Sequence, residues 1–225
     1  MQTEKGWLYR KEFNYRPIAK ISTAVLIKVI EKEKMQTTQT ALPKLMEDDT
    51  EKDGRPELVM DYIISWTLRR ADVKCSIEKP ILYGYCRDIL AKLLGITLDD
   101  NTLFEQVKVW KQDQDIDLWI ELQINRNGEH EQHAILIEDK FYSQLRPNPL
   151  ENYKERFEAY YAAQSDQWHR HYVLITCIAR SDSKFEEYYG KASSFGFMTY
   201  YIEEIFGKNH KECESDIFNE FWLRW

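Results

Sequence analysis

The stretch between residues 103 and 140 constrains the fold of this chain most strongly. It contains three closely spaced segments with strand-like patterns, at Leu103–Lys111, Ile116–Ile124 and Ala134–Lys140. Between the second and third, residues 125–131 predict a turn, because Asn127-Gly128 is a common signal for a tight hairpin. The pattern predicts three successive antiparallel strands in one sheet.

Two of these strands carry acidic residues where they are expected to meet. Asp117 begins the second strand, and Glu138-Asp139-Lys140 ends the third. The start of one antiparallel strand lies beside the end of the next, so Asp117 and Glu138 should be neighbours about 5 Å apart. Side chains alternate along a strand, so Glu138 and Lys140 share a face, whereas Asp139 points away and is expected to be solvated or capping. Two carboxylates this close repel each other, and a divalent cation such as Mg²⁺ removes that cost.

The flanking segments predict helices and two further strands. Apolar spacing and turn residues place helices at 17–34, 57–71, 81–94, 149–163 and 217–225, and strands at 172–178 and 197–202. A buried strand is the competing interpretation within residues 17–34. Residues 35–56 are polar, then acidic, and end in Gly54 and Pro56, which is typical of a linker. We expect an N-terminal helical extension over residues 1–56 and an α/β domain over residues 57–225, with a mixed central sheet flanked by helices.

The order of Asp117 and then Glu138-Asp139-Lys140 resembles the PD-(D/E)XK phosphodiesterase superfamily. The stretch IEDKFYSQLRPNPLENY resembles bacterial PD-(D/E)XK nuclease family proteins, in which a strand ending in IENK precedes a helix with the pattern QLxxY. Leu150 and Tyr153 match the LxxY part of that pattern. The resemblance covers about residues 103–178 and implies a restriction-endonuclease-like core, with Tyr153 as a substrate-binding residue.

The resemblance also implies roles for the acidic cluster. Asp117 and Glu138 would hold Mg²⁺ or Mn²⁺, and the main-chain carbonyl of Asp139 would add a ligand. Lys140 would orient the attacking water or help to deprotonate it. Superfamily members often carry one further acid on an upstream helix, and Asp88 is the candidate here. The implied activity is hydrolysis of phosphodiester bonds in nucleic acid, with DNA as the expected partner, and a homodimer would suit the cutting of both strands.

Several features favour an alternative function. Pro149 stands where the family has Gln, and Asp115 stands where the family often has Arg. The net charge of −7 also disfavours a broad phosphate-binding surface. The chain could therefore be a catalytically weak or inactive nuclease-fold module that binds nucleic acid or a protein partner. Alternatively, Asp117, Glu138 and Lys140 could be an exposed ion-pair network at a sheet edge, which contributes little to stability.

The remaining signals concern histidines and the cellular compartment. His169 and His171 share a face at the start of a strand, where they could bind metal or phosphate or simply form a solvated strand entry. The chain has four cysteines and no CxxC pair, which favours free thiols in a reducing compartment. The N-terminal residues have no apolar signal core, and no stretch approaches the roughly 20 apolar residues of a membrane span. These observations predict a cytoplasmic protein without a membrane partner.

Overall fold

The computed structural model of this chain describes residues 44–46, 56–113, 115–142, 149–164 and 167–225. The helix predicted at residues 17–34 and most of the predicted linker lie outside these residues. A short 3-10 helix, Lys44–Met46, precedes the main body of described residues.

One mixed sheet organises the fold. Its strands are β1 (Thr102–Asp113), β2 (Ile116–Arg126), β3 (Glu129–Lys140), β4 (Trp168–Thr176) and β5 (Met198–Tyr201). The spatial order of the strands follows their order along the chain. The first three strands are antiparallel, and β3, β4 and β5 run parallel. The predicted antiparallel hairpins and the predicted mixed α/β sheet are both confirmed.

Helices connect and cover these strands. They are α1 (Pro56–Arg70), α2 (Pro80–Leu94), α3 (Pro149–Ala162), α4 (Ser183–Ser194), α5 (Ile202–Phe206) and α6 (Asp216–Trp222), and a 3-10 helix spans Val73–Cys75. Parallel neighbours need a crossover connection, and α3 and α4 occupy the two that this sheet requires. Neither α4 nor α5 was predicted, and the strand predicted at residues 197–202 ends at Tyr201, where α5 begins. In the described part of the chain, no helix combines the length and apolar character needed to cross a membrane.

The turn between β2 and β3 is tighter than predicted. Asn127 and Gly128 have φ values of 55° and 89°, and Arg126 pairs with Glu129 across the ladder. Positive φ at both central residues is the signature of a two-residue type I′ turn, whose twist matches that of the strands. The polar residues from Glu129 onward therefore belong to β3 and not to the loop.

Both ends of α2 are fixed by local chemistry. Gly95 has a φ of 68° and donates its N–H to the carbonyls of Ala91 and Lys92, so the predicted helix stop is confirmed. At the other end, the Glu214 carboxylate accepts the N–H groups of Ile81 at 3.2 Å and Leu82 at 2.9 Å. Desolvation acts to raise the pKa of the Glu214 carboxyl. The hydrogen bonds from these N–H groups outweigh it, so the pKa is lowered.

Strand β3 runs through the centre of the protein. Every residue from His133 to Asp139 is buried, because helices cover both faces of the sheet. Trp119 packs against Phe157 of α3 with ring centroids 4.7 Å apart, which places α3 on the face shared by Asp117 and Glu138. Helix α1 covers the opposite face, where its Asp61 meets Asp139. The consecutive residues Glu138 and Asp139 therefore project into two different buried layers.

Candidate active site

The β2–β3 ladder brings Asp117 beside the end of β3. Leu118 pairs with Ile137, so antiparallel register aligns Asp117 with Glu138 one step further out. The backbone N–H of Asp139 donates to Asp117 Oδ2 at 3.1 Å, which fixes the carboxylate against the neighbouring strand. The proximity expected from the sequence follows directly from the turn at Asn127 and Gly128.

The ammonium group of Lys140 lies at the centre of this cluster. Its Nζ is 2.6 Å from Glu138 Oε1, 2.8 Å from the main-chain oxygen of Asp139 and 3.4 Å from Asp117 Oδ2. These three residues are the ones to which the resemblance assigned the metal. Their oxygens surround a single cationic atom, so the backbone holds three oxygen ligands in a convergent arrangement.

Burial distinguishes this cluster from a surface ion-pair network. The Glu138 side chain is 3% exposed, whereas those of Lys140 and Asp117 are 14% and 22% exposed. Strands β2 and β3 are interior strands of the sheet. The alternative of an exposed ion-pair network at a sheet edge is therefore wrong. Solvent reaches the cluster on the side of Asp117 and Lys140, while Glu138 forms its floor.

Glu138 has capacity for a further interaction. Its Oε2 is buried and has no hydrogen-bond partner among the described residues. A buried oxygen without a partner is costly, and such groups in folded proteins call for a specific explanation. A cation that contacts Oε2 would supply the missing partner for this carboxylate.

The electrostatics of the cluster follow from burial and proximity. Burial, followed by the Asp117 carboxylate, raises the pKa of Glu138 to about 8 although Lys140 opposes that rise. Burial alone would lower the pKa of the Lys140 ammonium, but the carboxylates of Glu138 and Asp117 raise it above its ordinary value. Lys140 therefore holds its proton firmly and acts as a fixed positive charge in the cluster.

Asp139 does not have the solvated side chain that was predicted. It is 1% exposed, and its carboxyl interacts with that of Asp61 of α1, which is 3% exposed. Burial raises the pKa of both groups, and for Asp139 the Asp61 carboxyl is the next cause. The prediction failed because α1 covers this face of β3. A buried pair of carboxyl groups thus links α1 to the strand that carries the cluster.

Asp61 was missed by the sequence reasoning, although a signal for it exists. It lies on the apolar side of α1, because Ile64 and Leu68 are its buried neighbours at helical spacing. An acid among buried apolar residues rarely lacks a partner. Glu57, one turn earlier, was missed as well. Its Oε1 accepts the N–H of Phe141 at 3.2 Å and so fixes the chain directly after β3.

Helix α3 contributes Tyr153 to the surroundings of the cluster. Its side chain is half-buried, and burial, followed by the carboxylates of Glu138 and Asp117, raises the pKa of its hydroxyl. Tyr153 is therefore close enough to experience the charges of the cluster. The expected helix start at Pro149 is also confirmed, in agreement with the preference of proline for the first helical turn.

Asp115 and Asp88 lie in surroundings that differ from those of the cluster. Asp115 is exposed in the turn before β2, and its Oδ2 is 3.0 Å from a guanidinium nitrogen of Arg156 on α3. Asp88 is exposed on α2, where desolvation raises its pKa and the charges of Arg87 and His210 oppose that rise. The acids from an upstream helix that lie next to the end of β3 are Asp61, which interacts with Asp139, and Glu57, which accepts the N–H of Phe141.

Comparison with other proteins provides no family for this arrangement. No protein-family model matches the chain, and neither a curated protein nor a solved structure is significantly similar to it.

Proposed function

We propose that this protein is a metal-dependent nuclease that hydrolyses phosphodiester bonds of nucleic acid, with DNA as the expected substrate. One observation carries the proposal. Oxygens of Glu138, Asp139 and Asp117 surround one cationic atom at distances of 2.6 to 3.4 Å, at the end of a buried hairpin. Oxygen ligands arranged around a single point suit a divalent cation, and the resemblance to PD-(D/E)XK proteins assigns the same residues to one.

The donor set fits Mg²⁺ or Mn²⁺. Magnesium is usually held by one or two carboxylates, with the remaining positions filled by water or substrate phosphate. Asp117 and Glu138 would provide the carboxylates, and the Asp139 carbonyl would provide a third protein oxygen. Oε2 of Glu138, which has no hydrogen-bond partner in the part of the chain that the structure describes, supports this fit. When bound, such a cation supplies Lewis acidity, which lowers the pKa of a coordinated water and stabilises charge that develops on phosphate.

The protein's own residues would have separate roles in binding and catalysis. The hairpin holds Asp117 and Glu138 in fixed positions, so they need no rearrangement as charge develops. Lys140 is protonated, and its ammonium would orient the water or balance charge on the phosphate; this role suits it better than that of a base. Tyr153 would contact the substrate from α3, on the side where Asp117 and Lys140 reach solvent.

The proposed setting is the cytoplasm, and the proposed assembly is a homodimer. The four cysteines, Cys75, Cys86, Cys177 and Cys213, are free thiols, which favours a reducing compartment. Two copies would place one cluster on each strand of a duplex. Sedimentation with and without duplex DNA tests the assembly, and a monomer under both conditions would contradict it.

A cleavage screen tests the function. Wild type, Asp117→Asn and Asp100→Asn would be incubated with labelled linear, circular and single-stranded DNA and with RNA, in Mg²⁺ and in Mn²⁺. Asp100 is exposed before β1, so Asp100→Asn makes the same charge change away from the cluster. We expect metal-dependent cleavage by wild type and Asp100→Asn and its loss in Asp117→Asn. Folded wild-type protein that cuts no substrate would instead favour an inactive binding module.

A further inference from the structure

A second group of metal-ligating side chains lies at the opposite end of β3. Glu131 and His133 occupy alternate positions on this strand, and His169 and His171 do so on the parallel strand β4. The register pairs His133 directly with His169. Because side chains alternate along a strand, all four project from the same face of the sheet.

The potential ligand atoms of three of these residues are already close together. One carboxylate oxygen of Glu131 and one ring nitrogen each of His133 and His169 lie within 4.8 Å of one another. The rings of His133 and His169 stack with centroids 4.8 Å apart. Ligands of a tetrahedral zinc ion are separated by about 3.4 Å, given bonds of roughly 2.0–2.1 Å. Glu131 and His169 are exposed, so small side-chain rotations can close the difference.

The buried histidine is oriented by its neighbours. His133 Nε2 is 3.3 Å from Glu131 Oε2, and its Nδ1 is 3.0 Å from His171 Nε2. Metal-binding histidines commonly donate their second ring N–H to a neighbouring acceptor, which fixes the tautomer and the ring orientation. With the Nε2 lone pair directed toward a cation, the Nδ1–H of His133 would donate to His171. His171 would then support the site without binding the metal itself.

We propose that Glu131, His133 and His169 form a binding site for a divalent transition metal, with Zn²⁺ as the expected ion, held in place by His171. Mixed imidazole and carboxylate ligands suit zinc and its neighbours in the transition series better than magnesium. Imidazole binds metals through a ring nitrogen of its neutral form.

This site is separate from the Glu138 cluster. Glu138 lies five residues beyond His133 on β3, which corresponds to roughly 16 Å along a strand, and it projects from the other face. A metal held by Glu131 and His133 on one side and by His169 on the other would tie the starts of two parallel strands together. The expected role is structural: the ion would stabilise the pairing of β3 with β4.

Zinc titration by calorimetry tests the proposal in a Glu138→Gln background, which disables the other cluster. We expect one Zn²⁺ per chain, and we expect Co²⁺ in its place to give the visible absorption of a nitrogen-ligated site. His169→Ala should weaken Zn²⁺ binding at least about tenfold, and His171→Ala by about 10–100-fold. His130→Ala is the matched control, because His130 lies on the same strand and projects from the opposite face.

Because His169 is exposed, its replacement by alanine should leave the fold unchanged. Thermal unfolding of each variant without metal would verify that it is folded, and Zn²⁺ should raise the melting temperature of His130→Ala but not of His169→Ala. Equal Zn²⁺ affinity in these two variants would overturn the proposal. So would a folded parent protein that takes up no Zn²⁺ at millimolar concentration. Neither result would bear on nuclease activity, which depends on residues of the other cluster.

Discussion

Replacement of Lys140 by methionine should destabilise the metal-free protein and increase its response to Mg²⁺. The ammonium group lies 2.6 Å from the Glu138 carboxylate and 3.4 Å from that of Asp117. Removal of one partner of a buried ion pair costs about 3–5 kcal/mol, because the remaining charge is left uncompensated. Glu138 can take up a proton and Asp117 is partly exposed, so we expect about 3 kcal/mol, the lower end of that range.

This loss can be measured by unfolding. For a domain of this size, about 3 kcal/mol lowers the melting temperature by roughly 6–12 °C. Urea unfolding of wild type and Lys140→Met, with Lys108→Met as an exposed lysine control, would give the free-energy difference. Lys108 is exposed on β1, so its replacement should change stability by less than about 0.5 kcal/mol.

The response to metal separates the proposed site from a purely structural ion pair. A divalent cation would replace the lost positive charge, so each Mg²⁺ concentration should raise the melting temperature of Lys140→Met more than that of wild type. Two results would contradict this prediction. One is a Lys140→Met protein as stable as Lys108→Met, and the other is a Mg²⁺ response that disappears together with the lysine.

Three further predictions concern the framework. Tyr161→Phe should lower the free energy of unfolding in urea by about 1–3 kcal/mol, because the hydroxyl accepts the buried indole N–H of Trp119 at 2.7 Å. An unchanged urea midpoint would contradict this prediction. Glu214→Gln should be less stable than wild type at pH 7, and the difference should vanish as the pH falls below about 4.3 and through the lowered pKa of Glu214. A stability difference between the two proteins that grows toward acid pH would contradict the lowered pKa of Glu214. Gly95→Ala should lower the free energy of unfolding by about 1 kcal/mol in the same assay, because a φ of 68° strains a residue with a side chain. A variant more stable than wild type would contradict this prediction.

The β2–β3 hairpin could be predicted because its signals are local. Asn127 and Gly128 determine the turn, and the turn determines which residues face each other along two strands. From that register, the proximity of Asp117 to Glu138 and the common face of Glu138 and Lys140 follow without knowledge of the remaining chain. The start of α3 at Pro149 and the end of α2 at Gly95 are local signals of the same kind.

The acid pair could not be predicted because it depends on packing between distant segments. Asp61 and Asp139 belong to a helix and a strand that are far apart in sequence. No pattern in either segment specifies which face of the sheet α1 covers. The helix α4 was missed for a different reason. Only Phe185, Tyr188 and Ala192 are buried on it, so its apolar side is narrow. Its capping residue Asp182, whose side chain accepts the N–H of Lys184, was the signal available in the sequence.

The most direct test of the central claim is the single-turnover rate of nucleic-acid cleavage by Glu138→Gln, measured on the substrate that wild type cuts best. Glutamine preserves the shape of the side chain, and burial already favours an uncharged group at this position, so the variant should fold. We predict a Mg²⁺-dependent rate for wild type and a loss of at least about a hundredfold in Glu138→Gln. A folded Glu138→Gln protein that cuts at the wild-type rate would contradict it.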